Sequence, residues 1–315
     1  MSRTVIDLFC GAGGFSLGFT LENYELLLGL DIDEFCIETY KYNFPSALAI
    51  KADIRDVHSK DILRYADRPD VLIASPPCEA FTRASRNIMK EPIDRLYADP
   101  RGRLMLDAIR IIGDLKPDVF IIENVPGINE PAIRASIRYE LSRYGYGKIY
   151  FNVIDAEKLG CPSMRRRIFI SNIPIKIKRG VRVSVWDAIK DLPDPRFPSN
   201  IPNHEYVHLP LRFEDRVRRL KWGEGLEYFM GSEQKVYLEY IRVHPNKPSP
   251  TVMGRSRFIH PYDNRLLTVR EQARLMTYPD THVFFGPINS QYNQVGESVP
   301  PLVSKLIAEY LKRLI

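Results

Sequence analysis

Val5-Ile6-Asp7-Leu8-Phe9-Cys10-Gly11-Ala12-Gly13-Gly14-Phe15 is the stretch on which the fold turns. Val5–Phe9 reads as a short buried strand, and the glycines after it mark a strand-to-helix turn, with a helical pattern running to about Glu22. Outward from there, Glu25–Leu30 is the next strand, ending at Asp31, and Glu34–Asn43 is a helix stopped by Pro45. The alternation continues with strands over Ala47–Ile50, Val71–Ser75 and Val119–Ile122, and helices over Ser59–Ala66, Arg103–Leu115 and Ala132–Tyr144. Lys148–Ile154 and Ile168–Asn172 complete the strands. Strands separated by helices predict βαβ units, hence an α/β fold with a mostly parallel sheet flanked by helices.

After Lys178 the rhythm stops. Residues 179–265 are rich in Pro, Tyr and Arg and hold 15 Lys+Arg against 11 Asp+Glu, which is +4 of the net +6. This predicts a second, smaller domain over 179–287 that engages the substrate, with 1–178 and 288–315 forming the first. Leu302, Val303, Leu306, Ile307, Tyr310 and Leu311 give the last segment an amphipathic helical pattern that packs back on the first domain.

The 315 residues, 44% of them hydrophobic, suffice for a core without staples. Cys10, Cys36, Cys78 and Cys161 show no C-x-x-C pair, so no structural metal is expected and a reducing compartment fits. No apolar run approaches the roughly 20 residues of a membrane helix, so the expectation is a soluble cytoplasmic protein. A pI near 9.0 permits a polyanionic partner without demanding one.

Chemistry gathers at the strand ends. Glycines at Gly11 and Gly13 let a ligand approach the backbone, Asp31 is placed to bond ribose hydroxyls, and Asp53-Ile54 offers a polar group beside an apolar face for an adenine. One such turn is as well explained by an ordinary βα connection; three successive strand ends point to a nucleoside-bearing cofactor. The fourth strand ends in Ser75-Pro76-Pro77-Cys78, where two prolines fix the backbone before a thiol. A lone Cys is usually inert core, but this one follows a strand end and precedes a polar loop, as a nucleophile would. Glu123, in Ile122-Glu123-Asn124-Val125-Pro126, faces the same crevice as an acid, or merely caps the next turn. In Arg165-Arg166-Arg167 alternate side chains share a face, so Arg165 and Arg167 are expected to reach inward.

With these motifs in order, the chain resembles the DNA (cytosine-5) methyltransferases of the short prokaryotic type, along nearly its full length. Phe9-x-Gly11-x-Gly13 is similar to the family's cofactor loop, Pro77-Cys78 to its Pro-Cys motif, Glu123-Asn124-Val125 to its ENV motif and Arg165-x-Arg167 to its paired arginines. Arg270-Glu271-Gln272-Ala273-Arg274 and Gln294-Val295-Gly296-x-Ser298-Val299 resemble its last two motifs. The resemblance implies a Rossmann-like S-adenosylmethionine-dependent fold with a target-recognition domain. It implies Phe9 stacked on the adenine, Asp31 on the ribose, Ile32 and Ile54 on the adenine face, Asp53 on its amine, and Pro76, Ser298 and Val299 lining the same site. Cys78 would attack C6 of a flipped-out cytosine, Glu123 would bond N3 and the exocyclic amine, Arg167 the base O2, and Arg165 would support the Cys78 loop or a phosphate. Thr251, Arg255 and Arg257, near Pro248-Ser249-Pro250, and Arg83 and Arg86, in the loop after Cys78, would contact nucleic acid. The implied partner is duplex DNA, with no metal and no membrane. A monomer is expected, at the nucleoid of a prokaryotic cytoplasm, beside a separate restriction endonuclease.

Three positions depart from the family's habit: Glu79, Ser163 and Glu297 stand where Gln, Gln and Asn are usual. The nucleophile, acid and arginines are kept, so an active enzyme is expected rather than a binding module on the same fold. Phe81-Thr82-Arg83 resembles the tRNA cytosine-5 branch, which makes tRNA the rival substrate.

Overall fold

The computed structural model describes every residue except Met1, Arg83, Arg86 and Ile315, and the side chain of Glu233. Seven strands build the main sheet: β1 (Thr4–Leu8), β2 (Glu25–Asp31), β3 (Leu48–Lys51), β4 (Val71–Ala74), β5 (Val119–Asn124), β6 (Tyr150–Asp155) and β7 (Arg166–Ser171). Their order is β3-β2-β1-β4-β5-β7-β6. The first five pair in parallel, whereas β7 runs antiparallel to both β5 and β6. Every residue of β4 and β5 is buried, as strands covered on both faces require.

From β1 the chain winds outward to β3 on one side, and from β4 to β5 on the other, so the order reverses between β1 and β4. Open α/β sheets bind ligands at that switch point, outside the strands' carboxyl ends. The turns after β1 and β4 carry the glycine loop and Cys78, so the topology alone sets them side by side.

Helices Pro100–Leu115 and Pro131–Arg143 cover one face, with Met105, Ile109, Ile112, Ile133, Ile137 and Leu141 buried on Leu72, Phe120 and Ile122. Gly14–Leu21, Glu34–Asn43 and Pro301–Lys312 cover the other, where Val303, Ile307 and Leu311 join Phe15, Phe19 and Val5. The C-terminal helix thus lies on the first helix, with the Ser304 hydroxyl donating to the Phe15 carbonyl. The helical pattern read over 59–66 yields one α-helical turn, Ser59–Ile62, closed by Ile62 and Leu63 bonding back to His58 and Ser59. Too few apolar positions recur there to carry it further.

Residues beyond Ser171 build two other cores. Val185, Val252, Leu267, Ala273, Tyr292 and Val295 belong to one, so helices Val269–Leu275 and Ile288–Glu297 pack together in it. The smaller one gathers Leu209, Phe213, Val217, Leu226, Ile259 and Leu266 around the base of an antiparallel hairpin, β8 (Gly225–Met230) and β9 (Val236–Ile241). A buried Arg265–Glu271 pair, 2.7 Å apart, joins the two cores; Glu271 also caps its helix by accepting from Thr268 N.

Candidate active site

The crevice at the switch point begins with backbone geometry. Phe9 has φ of 60° and Gly13 of 81°, so the chain leaves β1 through left-handed residues. A side chain at Gly13 would also run into the Phe44 ring. Cys10 N still bonds to Leu30 O at 3.0 Å, and Gly11 N donates to Asp31 Oδ2 at 2.8 Å, which ties the loop to the end of β2. Asp33 N donates to the other oxygen, Oδ1, at 2.9 Å. Each Asp31 oxygen therefore has one main-chain donor and a lone pair left over for a ligand hydroxyl. Burial pushes Asp31 above the usual carboxylate range, against those two N–H groups.

Beside it, Ile32 is 62% exposed, an apolar side chain held at the mouth. Asp53 caps the turn after β3 and is clasped by the Arg55 guanidinium, which holds its carboxyl below the usual range. Ile54 points the other way, 3% exposed within the core. Glu297 stands at the rim, on the end of the helix Ile288–Glu297, and burial, then Glu79 and Asp31, push it up to about 7. Ser298 Oγ donates to Val295 O at 2.9 Å, and Val299 is buried against the glycine loop. Ser75 Oγ and Tyr278 Oη are buried without a hydrogen-bond partner. A pair of ribose-ready lone pairs, an exposed apolar wall and an excess of carboxylates suit a nucleoside that carries positive charge; S-adenosylmethionine is one.

Across the switch point, Ser75 N bonds to Leu8 O at 3.1 Å, and Asn124 Nδ2 donates to Pro76 O at 3.1 Å. Asn124 therefore fixes the Pro-Pro segment from the neighbouring strand, a role hidden in the sequence because it depends on the β4–β5 pairing. Phe81 N closes a turn on Cys78 O at 2.9 Å, so the thiol sits at a bend, partly accessible. Its pKa is pushed up to about 11: burial and the Glu79 and Glu123 carboxylates outweigh Arg167 and Arg165.

The acid and the arginines meet through strand register. Glu123 pairs with Phe169, so Arg167, two residues along, shares its face. Arg167 Nε lies 3.0 Å from Glu123 Oε1. The contact is an ion pair without hydrogen-bond alignment, and Oε1 is buried with no hydrogen-bond partner. Burial lifts the Glu123 pKa more strongly than the arginines lower it. Arg166 faces the opposite way and pairs with Asp155 at 3.2 Å.

Arg165 follows the same alternation inward but meets protein. It is 2% exposed, and its Nη1 donates to Val252 O and Gly296 O, both at 2.9 Å. Without a carboxylate partner, its pKa is pulled down to about 9 by burial and by Arg167. It is thus a strut rather than a phosphate ligand. It joins β7, the Pro248–Met253 segment and the turn beside the cofactor crevice. That segment is pinned further: Met164 N bonds to Ser249 O at 2.8 Å, and Thr251 Oγ1 donates to Met164 O at 2.7 Å. Gly296 lies so close to Met253 and Gly254 that a Cβ there would overlap their backbone.

The residues read as nucleic-acid contacts are placed less simply. Thr251 is committed to Met164. Arg255 Nε reaches Glu239 at 2.5 Å, with its guanidinium 3.7 Å from the Phe229 ring centroid. Arg257 bonds to Asn289 Oδ1 at 2.8 Å and lies over Tyr292. Arg83 and Arg86 lie outside the described residues. A cavity of 760 Å³ opens on the substrate side, three residues past Cys78, lined by Phe81, Met89, Arg95, Gly127, Asn129 and, from the hairpin tip, Ser232. Among the described residues no cluster could hold a metal ion, and no helix is long and apolar enough to cross a membrane.

A glycine loop beside a Pro-Cys bend, with an acid and an arginine on the adjoining strands, is the arrangement that the resemblance to the cytosine-5 methyltransferases implies. Residues 3–313 match the family model for C-5 cytosine-specific DNA methylases, and the chain belongs to that family. It is 44% identical to a Methanocaldococcus jannaschii protein named as a type II methyltransferase, over 98% of this chain and 99% of that one. It is 35% identical to the type II methyltransferase M1.HphI of Haemophilus parahaemolyticus, over 100% of this chain and 88% of the relative. A solved prophage-encoded Escherichia coli protein, described as a DNA modification methyltransferase, superposes with a TM-score of 0.79 at 26% identity, covering 99% of both chains. The enzyme is a DNA (cytosine-5) methyltransferase, and family and relatives favour DNA over tRNA. Membership implies S-adenosylmethionine as methyl donor.

Proposed function

We propose that the crevice between the glycine loop and Cys78 is where a flipped cytosine of duplex DNA meets the methyl donor. The observation that supports this most is the convergence of Cys78, Glu123 and Arg167 beside the β1 turn. S-adenosylmethionine, when bound, supplies an electrophilic methyl group. Phe9, Ile32 and Pro76 would flank its adenosine, Asp31 would accept the ribose hydroxyls, and Ser298, Val299 and Glu297 would border its amino-acid end. Asp53 and Ile54 take part only if the Arg55 clasp and the core packing give way, so they rank below the others.

Cys78 Sγ would bond to C6 of cytosine, and the ring's electron density would pass to C5, which takes the methyl as the sulfonium S–CH3 bond breaks to leave S-adenosylhomocysteine. Glu123 stabilises that redistribution by hydrogen-bonding N3 and the exocyclic amine; its raised pKa favours the protonated form that N3 requires as donor. Arg167, already against Glu123, meets the base O2. Transfer of the C5 proton to a base or water then expels the thiolate and restores the ring. Burial and the Glu79 and Glu123 carboxylates hold the thiol above its usual range, and Arg167 and Arg165 are the neighbours that favour its thiolate.

The region 179–287 serves as target-recognition domain, and 1–178 with 288–315 as the catalytic domain. The type II relatives support a place in restriction-modification, with the enzyme acting as a monomer on DNA in the cytoplasm while a separate endonuclease cleaves. The test is transfer of labelled methyl from S-adenosylmethionine to unmethylated duplex DNA and to total tRNA, followed by nucleoside analysis. 5-Methylcytosine in DNA, lost in Cys78→Ala, is expected; 5-methylcytosine only in tRNA would overturn the substrate.

A further inference from the structure

Trp222, one of two tryptophans in the chain, stands 48% exposed on the wall of a second cavity, of 650 Å³. Arg218, Lys221, Arg242, His244 and Asn264 also line it. The cavity sits at the base of the β8–β9 hairpin, since Trp222 leads into β8, Arg242 follows β9, and Gly223 N bonds to Arg242 O at 2.8 Å. Each strand has six residues, so the base lies about 20 Å from the tip. The tip is the end that reaches the Cys78 side.

Among the described residues no carboxylate forms an ion pair with a cation lining this cavity. Arg242 is 6% exposed, and its guanidinium donates to the carbonyls of His260, Asp263 and Val217 and to Asn264 Oδ1, at 2.9, 2.9, 2.7 and 2.6 Å. None of these acceptors is a carboxylate, and Arg242 Nε is buried with no partner. Arg218 and Lys221 are exposed, and among the described residues neither side chain makes an ion pair. Of the nearby acids, Glu224 accepts the Lys221 main-chain N–H, and Asp263, whose charge also reaches Arg242, pairs with Arg196 and Arg265. The Trp222 indole N–H is committed to Pro261 O at 2.9 Å and its ring packs 5.0 Å from His244, so the indole is held in a fixed orientation. A concave surface with three cations and a fixed aromatic face complements an anion attached to a compact apolar body.

We propose that this pocket binds a sugar–phosphate unit of the DNA backbone beyond the segment held in the catalytic cleft. Phosphate would meet Arg218 and Lys221, with the sugar against Trp222. At 3.4 Å per base pair, a pocket about 20 Å from the tip would reach a phosphate about six base pairs away on a duplex lying along the hairpin. The inference rests on the reading of the cleft as a DNA site.

The experiment uses the full chain and two duplexes centred on its mapped target cytosine, one trimmed to about three base pairs on either side and one extended by about ten. Wild type is expected to bind the longer duplex more tightly, and Arg218→Ala/Lys221→Ala to lose about tenfold on that duplex only. The slope of log K against log salt should fall by about 1.8, for two phosphate contacts. Lys221→Glu should act in the same direction, while methylation of the short duplex stays unchanged in all variants. An equal gain from length in wild type and variants, or no gain in wild type, would overturn the pocket. No methyl transfer to either duplex by wild type would instead overturn the reading of the cleft beneath it.

Discussion

The strand-end crevice and the region beyond Asn172 use arginine in opposite ways. In the crevice, Arg167 sits against a buried carboxylate with an unmatched oxygen, poised for a third party. Beyond Asn172, Arg255 and Arg257 are spent on Glu239, Asn289 and two aromatic rings, while Arg218 and Lys221 are among the cations that form no ion pair. Charge counted along a sequence says how much cation is present; which cation is available is decided by pairing in three dimensions. Arg165 stands between the two uses: placed like a catalytic group, it acts as a tie between the halves.

The largest effect should come from the crevice. Cys78→Ala is expected to lower methyl transfer by more than about 10⁴-fold, with the cofactor dissociation constant, measured by calorimetry, changed little. Turnover within tenfold of wild type would remove Cys78 as nucleophile. Next, Asp31→Ala should weaken cofactor binding about 10²-fold, by loss of charged hydrogen bonds to the ribose, while DNA binding shifts by less than about threefold. Equal losses would mean that the ribose lies elsewhere.

These positions were legible in the sequence because βα alternation fixes where strands end, and polar residues at such ends have little else to do. The strand–turn boundaries lie within a few residues of those the pattern predicts, and Arg165 and Arg167 are turned inward while Arg166 is exposed. The period could not say that the Arg165 guanidinium would meet Val252 and Gly296, residues 87 and 131 positions away. Ile54 lies in the core for a related reason: an apolar residue after a strand serves equally as a ligand wall or as core. The tethering of Arg255 depends on Phe229 and Glu239, which only the hairpin pairing brings into reach. Asn124 belongs to the Glu-Asn-Val motif, but its hold on Pro76 follows from strand order alone.

The strut offers the sharpest contrast. Arg165→Ala leaves two buried carbonyls unsatisfied and should lower unfolding stability by about 2–4 kcal/mol, read by denaturant melts. Arg255→Ala, a surface ion pair with a cation–π contact, should cost about 1 kcal/mol or less and change DNA affinity little. A large loss of DNA affinity in Arg255→Ala would restore it to the interface and erase the contrast.

A smaller, pH-dependent effect tests the floor of the crevice. Asp7 is fully buried; it accepts from Ser16 Oγ at 2.5 Å, its Oδ1 has no partner, and burial pushes its pKa up to about 8. The native state therefore holds a proton that the unfolded chain releases near 3.8. The resulting stability is complete below 3.8 and is lost as pH rises toward 8. Asp7→Asn lacks that proton and should show a Tm that falls less between about pH 4 and 8 than wild type, by a few degrees. Parallel curves would place the charge elsewhere.

The most direct test is capture of the reaction partway. Duplex DNA carrying 5-fluorocytosine at the target position has no C5 proton to lose, so the enzyme with S-adenosylmethionine should remain bonded to it. Mass spectrometry of the digested complex should find the base on the peptide containing Cys78, with a methyl group added. Wild type that methylates ordinary DNA yet forms no adduct, or forms one at another residue, would contradict Cys78 as the atom that begins the chemistry.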